Sequence, residues 1–359
     1  MLIILGITIC VVGLYLSYPI CLRLFAKRDI LYSVEKEAIT RVSVILLSFN
    51  GKAFLKDKIE FLLKEISFFE SAELIVIDDG STDGSIEILK RYPVSDSLKI
   101  IFNDKQHGIP YSMNLGVAKA DHPYVIFCDQ RQKLSSNILK RILEPMRRED
   151  VGAVSGCISS RDNKEQFSFI RTHENFMKSA ESNAGSLIGV YGPFYAIRKH
   201  CYSPIPEYII LDDLYLSLRI LKTKQIELIN DCHIIDDNFS VLYDYQRTRR
   251  YLCGLLQLLK ERTLISELSY QHWTMLIWHK YLRLIIPFLL SGCYVILGIA
   301  MTEGIAYVIA FILISLMAVL SVLPARMTFP FRFKNLLRIN IFYFFAVHDI
   351  LIDEIFKKK

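Results

Sequence analysis

The chain has 359 residues, of which 52% are hydrophobic and 22% charged. A mean hydropathy of +0.31 is high for a wholly soluble protein, while the charge content excludes a pure membrane bundle. The net charge of +6 is too weak to argue for nucleic acid, and it suits a protein lying against an anionic leaflet. The eight cysteines contain no CxxC pair, so they read as reduced, cytosol-facing thiols and not as a disulfide or zinc framework.

Met1 to Leu22 carries no charged side chain, which is long enough to cross ~30 Å of hydrocarbon as a helix. The run lacks a basic start and a small-residue cleavage site, so a retained anchor over residues 1–23 is expected. Arg23, Lys27 and Arg28 follow at once and assign that end to the cytoplasm.

From residue 40 onward, short apolar runs alternate with helical patterns. The spacing predicts strands at 42–48, 74–77, 98–102 and 124–128, with helices at 57–66, 85–91 and 110–120 between them. Continuous apolar strands separated by helices indicate a doubly wound, mostly parallel α/β sheet. Such sheets bind ligands at the carboxyl ends of their strands. Those ends are polar here: Ser48-Phe49-Asn50-Gly51, Asp78-Asp79-Gly80-Ser81-Thr82-Asp83-Gly84-Ser85, and Asp129-Gln130-Arg131-Gln132. One such cluster could be only a turn and a helix cap. Three in one parallel sheet point to a ligand site.

Downstream, residues 255–284 mix apolar, aromatic and basic positions, with Trp273, Trp278, Lys280 and Arg283. Such segments seat a domain at the membrane interface. Leu284 to Met301 and Gly304 to Ala325 are uncharged, separated only by Thr302 and Glu303, and flanked by basic residues. They read as a transmembrane hairpin with both ends cytoplasmic. Residues 336–356 are interrupted by charges, so a short span and an interfacial helix are both open, with the interface favoured.

The stretches VSVILLSFN, ELIVIDDGSTDGS, NLGVAKADHPYVIFCD, GVYGPFYAIRK, ILDDLYLSLRI and YQRTRRYLCGLLQLL resemble, in order and spacing, glycosyltransferase family 2, which has the GT-A fold. The resemblance covers residues 40–260. Together with the apolar runs it gives a catalytic domain at 40–245, a motif segment and interface helices at 246–283, a transmembrane hairpin at 284–325 and, at 326–359, an interfacial or short membrane helix with a basic tail. It also implies a nucleotide diphosphate sugar donor, with a UDP-sugar expected. Asp78 or Asp79 would contact the base or ribose, with Ser48 and Asn50 beside them. Asp129 matches the first acid of the DxD motif, which holds Mg²⁺ or Mn²⁺ on the pyrophosphate. The third position is Arg131, so the motif resembles the DARQ variant of one membrane branch, and Arg131 could offer charge to phosphate. Many relatives carry Gly-Lys where this chain has Gly108-Ile109.

Asp212-Asp213 matches the family's acidic motif. An inverting transferase needs a carboxylate to take the acceptor proton. By register that base is Asp213, with Asp212 touching the acceptor or raising the base's pKa. An acidic pair at a helix start also complements the helix dipole. Gly192 and Pro193 resemble the turn lining the acceptor side. Gln246 to Tyr251 resembles the QxxRW motif of membrane-embedded synthases, with the Trp absent. Two registers are open: Gln246, Arg249 and Arg250, or Arg247, Arg250 and Tyr251. The second aligns better with Gly254 and Gln257. In either, an Arg reaches the diphosphate.

The resemblance thus implies a multi-pass plasma-membrane enzyme with its catalytic domain cytoplasmic. It would act on a growing polysaccharide or a lipid-linked glycan, alongside other polysaccharide-assembly proteins. Repeated addition and single addition to a polyprenyl-linked acceptor are both open. So is a catalytically silent relative that only binds nucleotide sugar.

Overall fold

The computed structural model describes residues 38–160, 168–236 and 241–299, together with 13, 17–23, 304, 312, 341, 345, 346, 349 and 350. In β1 (Arg41–Ser48), Val42, Val44 and Leu46 belong to one buried cluster and Ile45 to another. This period-two split sends alternate side chains to opposite faces, and it makes the sheet the middle layer of a three-layer domain. The other strands are β2 (Ser71–Asp78), β3 (Leu98–Phe102), β4 (Tyr124–Asp129), β5 (Lys133–Leu134), β6 (Val151–Ser160), β7 (Phe194–Arg198) and β8 (Gln225–Asp236).

One face of the sheet is covered by α1 (Lys52–Ile66), α2 (Ser85–Leu89) and α4 (Ile138–Leu143). In α1 the buried residues Leu55, Ile59, Leu62 and Ile66 recur at helical spacing and form the stripe that docks. The other face is covered by α3 (Ile109–Lys119), α5 (Ser168–Asn183), α6 (Asp212–Ile220), α7 (Val241–Leu258), α8 (Arg262–Ser266) and α9 (Tyr270–Leu276). A π-turn at Ile277–Tyr281 then leads into α10 (Leu282–Ile299).

The sheet order is β3-β2-β1-β4-β7-β6-β8-β5. The four strands read from the sequence pair in parallel as β3-β2-β1-β4. The remaining half is mixed: β7 is antiparallel to both β4 and β6, β6 is parallel to β8, and β5 is antiparallel to β8. A mostly parallel sheet is therefore corrected to a mixed one. The reason is local. The chain enters β7 through a turn seated at the end of β4, where Asp129 N donates to Pro193 O at 2.9 Å, so β7 must run back along β4.

The expected anchor is described only at 13 and 17–23, and most of the second half of the hairpin and most of the tail lie outside the described residues. Helical residues 17–23 pack on the domain: Tyr18 is buried and stacks on Trp278 at 6.2 Å, and Arg23 lies 4.0 Å over the Phe176 ring. Among the described residues no single helix is long and apolar enough to cross a membrane. The segments Tyr270–Tyr281 and Leu284–Ile299 meet that length and composition together, bent by 41°.

Candidate active site

Parallel pairing brings the ends of β1, β2 and β4 to one edge. Ser48 is in register with Asp78, and Leu47 with Asp129. Ser48 is buried, and among the described residues its hydroxyl has no hydrogen-bond partner. Asn50 takes a left-handed backbone with φ of 48°, which Asn tolerates better than most residues. From there its amide N–H donates to Ser81 Oγ and its Oδ1 accepts from Thr82 N, each at 2.8 Å. The first two polar strand ends are thus latched to each other.

The two carboxylates of the second strand end are both occupied by protein donors. Asp78 is fully buried and accepts from Ser81 N at 2.8 Å and Ser81 Oγ at 2.6 Å. Asp79 accepts from Asn103 Nδ2 at 2.7 Å, His107 N at 2.9 Å and Gly108 N at 2.8 Å. These bonds hold the loop after β3 against the loop after β2.

The third strand end carries Asp129, partly exposed, with Arg131 3.9 Å from its Oδ2. Gln130 bridges back to the first: its Nε2 donates to Phe49 O at 2.8 Å. A Cβ on Gly51 would stand 1.8 Å from Gln130 Oε1, so this cradle requires glycine. Among the described residues no group of three acidic, His or Cys side chains could cage a cation. The donor set at Asp129 is a single carboxylate. It fits Mg²⁺ or Mn²⁺ in the mode where substrate phosphates and water supply most ligands.

The acidic pair opens α6, where Asp213 Oδ1 accepts from Leu214 N at 2.8 Å. A Cβ on Gly192 would lie 3.0 Å from Asp213 Oδ2. The turn at Gly192-Pro193 therefore touches both acids: Pro193 holds the backbone of Asp129, and Gly192 faces the carboxylate of Asp213. Asp212 holds its proton more tightly than an ordinary carboxyl. Burial, and next the charge of Asp213, push its carboxyl up to about 7, while Arg250 acts in the opposite sense.

That electrostatic link brings α7 into the site. At 3.6 residues per turn, Arg247, Arg250, Tyr251, Gly254, Gln257 and Leu258 share one face. Gln257 Oε1 accepts from Ile210 N at 3.0 Å, and Gln257 Nε2 donates to Tyr208 O at 2.6 Å. A Cβ on Gly254 would meet Leu211 at 2.4 Å. This face is pressed onto the segment that leads into Asp212. The opposite face, with Tyr245, Leu252 and Leu256, packs with Ala346 and Ile350, and Arg249 lies on that side, within electrostatic reach of Tyr245. The helical phase thus groups Arg247, Arg250 and Tyr251 with the site and leaves Arg249 off it. Gln246 lies at the flank.

Three features escape the sequence reading: the Gln130 bridge, the Asp129–Pro193 bond and a buried Lys178 in α5. No motif flags them, because two run through the main chain and the third lies in a helix without a recognised pattern.

Residues 43–201 match the family model described as Glycosyl transferase family 2. The chain is 25% identical over 137 residues to "Glycosyltransferase GlyG" of Streptococcus pneumoniae, covering 38% of this chain and 45% of that protein. It is 22% identical over 238 residues to "Poly-beta-1,6-N-acetyl-D-glucosamine synthase" of Staphylococcus epidermidis, covering 64% and 53%. These matches span about half the length of those relatives. A solved structure of mannosyltransferase PcManGT from Pyrobaculum calidifontis, in complex with GDP-Man and Mn²⁺, superposes with a TM-score of 0.75 at 17% identity, over 98% of this chain and 99% of that one. Residues 43–201 therefore carry a glycosyltransferase family 2 match, on a mixed α/β fold shared with that solved structure.

Proposed function

We propose that this chain is a membrane-bound inverting glycosyltransferase. It moves a sugar from a nucleotide diphosphate sugar, with UDP-sugars the expected donors, to a growing polysaccharide or lipid-linked glycan on the cytoplasmic side. The single observation that carries this reading is the Gly192-Pro193 turn, which contacts both Asp129 at the donor edge and Asp213 at the start of α6.

The chemistry follows from that placement. The nucleoside lies along the latched ends of β1 and β2, where the Ser48 hydroxyl, without a partner among the described residues, would bond it. Asp129 would hold Mg²⁺ or Mn²⁺, which would supply charge to offset the departing diphosphate. Arg250, with Arg247 beside it, faces the same diphosphate with a planar donor fork. The acceptor oxygen attacks the anomeric carbon as the bond from that carbon to the diphosphate oxygen breaks. The acceptor proton passes to Asp213, and the diphosphate leaves with the bonding pair. Asp212 stands next to the base and faces the acceptor.

Membrane attachment rests on the uncharged, basic-flanked sequence runs and on the exposed apolar side chains of α10, where Ile285, Val295 and Ile299 are more than half exposed. The decisive experiment screens full-length protein in detergent against UDP-N-acetylglucosamine, UDP-glucose, UDP-galactose and GDP-mannose with Mg²⁺ or Mn²⁺, reading released nucleotide. One donor should dominate, and D213N should abolish release while retaining donor binding. Near wild-type transfer by D213N would exclude this assignment of the base. Product ladders indicate repeated addition, and a single added sugar indicates one transfer per acceptor.

A further inference from the structure

Lys178 in α5 is 1% exposed, one of the largest fully buried side chains described. A lysine is almost never buried this completely unless it is paired. Its Nζ donates to Gly189 O, and it lies 4.4 Å over the ring of Tyr191. Both contacts fall in the segment that runs directly into Gly192, whose Cα faces the Asp213 carboxylate. Tyr191 is fixed in turn: its N–H donates to Ser155 Oγ at 2.8 Å and its hydroxyl to Asn175 Oδ1 at 2.7 Å. Lys178 of α5 thus holds the 189–191 segment, and Glu181, which accepts from Ile188 N at 3.3 Å, holds the residue before it.

Its electrostatic surroundings reach to both sides. Glu174 and Glu181 face it from α5 itself, Lys280 from the π-turn and Asp213 from α6. Burial, and next the charge of Lys280, lower its ammonium to about 8, while the three carboxylates act in the opposite sense. Around it, His279 bonds Glu181 at 2.7 Å and Glu174 at 2.9 Å, and Tyr18 donates to Glu181 at 3.0 Å. The carboxylates of α5 thus have partners of their own. Asp213, for its part, is faced by Asp212 and Tyr195 besides Lys178. Two cations act on the acidic pair, Lys178 from α5 and Arg250 from α7.

We infer that Lys178 is a positioning residue for the transfer reaction: it fixes the 189–192 segment against Asp213 and sets a buried positive charge behind the acidic pair. The inference rests on Asp213 acting as the base. Removing the cation takes positive charge away from behind the acidic pair, which favours the protonated form of the pair. The sign is fixed: the acidic limb of the kcat–pH profile must move to higher pH.

The test uses full-length K178M, K178Q and K178R in detergent, with whichever of UDP-N-acetylglucosamine, UDP-glucose, UDP-galactose and GDP-mannose the wild type turns over. K178M and K178Q should lose at least tenfold in kcat, keep the donor KM within twofold, and show the acidic limb moved up by about half a pH unit or more. K178R, which keeps the charge, should return the limb to its wild-type position. Unmoved limbs in both neutral variants overturn the inference, and so does a kcat within twofold of wild type. If the neutral variants do not fold, K178R decides: a limb displaced as the charge is kept overturns it, and a wild-type limb with reduced kcat supports it. Loss of transfer in D213N, with K178M unaffected, would sink this inference and spare the assignment of the base. Full activity in D213N would sink both.

Discussion

Asp129 N donates to Pro193 O at 2.9 Å, and the next residue back, Gly192, lies against Asp213 Oδ2. A single two-residue turn therefore sets the distance between the donor edge of the sheet and the acidic start of α6. The first expectation concerns this turn. In G192A the new methyl would crowd Asp213 Oδ2 at 3.0 Å and displace the carboxylate by a few tenths of an ångström. Misplacing a catalytic group by about 1 Å can cost ~100-fold, so a roughly tenfold loss of kcat is expected. Steady-state kinetics beside a thermal melt checks it, with the melt little changed.

At the donor edge, G51A forces Gln130 away from Phe49 O, because no Cβ fits 1.8 Å from Gln130 Oε1. G51A alone should raise the donor KM about tenfold or more. Q130A removes the obstruction, so the double variant should be less impaired than the sum of the two single losses. A double-mutant cycle on donor affinity measures this coupling, and strict additivity would contradict the cradle.

Asp79 accepts two backbone N–H groups and one side-chain amide. D79A leaves these donors without their acceptor, at about 1–3 kcal/mol for each one that stays buried. Partial access to water keeps the total at roughly 2–4 kcal/mol. D79N keeps an acceptor and should cost less. Denaturant melts of both variants provide the comparison.

The pH dependence of stability follows from Asp212. Its carboxyl is raised to about 7 from an ordinary value near 4. The folded state therefore holds a proton that the unfolded state has released, and stability falls as pH rises between those two values. D212N removes that dependence. Melting temperatures at pH 5 and pH 8 should differ less in D212N than in the wild type, and at pH 8 the variant should be the more stable of the two.

R250K keeps charge but loses the planar fork, and R250A loses both. Values of kcat/KM should fall about tenfold and at least 100-fold respectively. R249A, on the opposite face of α7, should change kcat/KM by less than threefold. Equal losses at 249 and 250 would contradict the helical phase described above.

The donor half of the fold is legible in the chain because its information is local. Strands at 42–48, 74–77, 98–102 and 124–128 are continuous apolar runs, and each observed strand contains its predicted span. The polar ends that follow them announce the site. The second half is less legible, because β7 takes its direction from a long-range main-chain bond at Pro193, which leaves no trace in composition. The two carboxylates at 78 and 79 were identifiable as important, but not their engagement with the loops at 81 and 103–108. The acidic pair was legible as a pair. The raised proton affinity of Asp212 comes first from burial, and only packing decides burial. Helical phase separated Arg250 from Arg249 once the partners of both faces of α7 were known.

That two-sided packing makes α7 intolerant of insertion. One residue added between Tyr245 and Arg250 would turn the two faces out of phase by about 100°. If Gly254 and Gln257 kept their seat on 208–211, the Tyr245 side would lose its contact with the C-terminal residues around 349. Homologous chains can therefore vary the side chains along this helix more readily than its length.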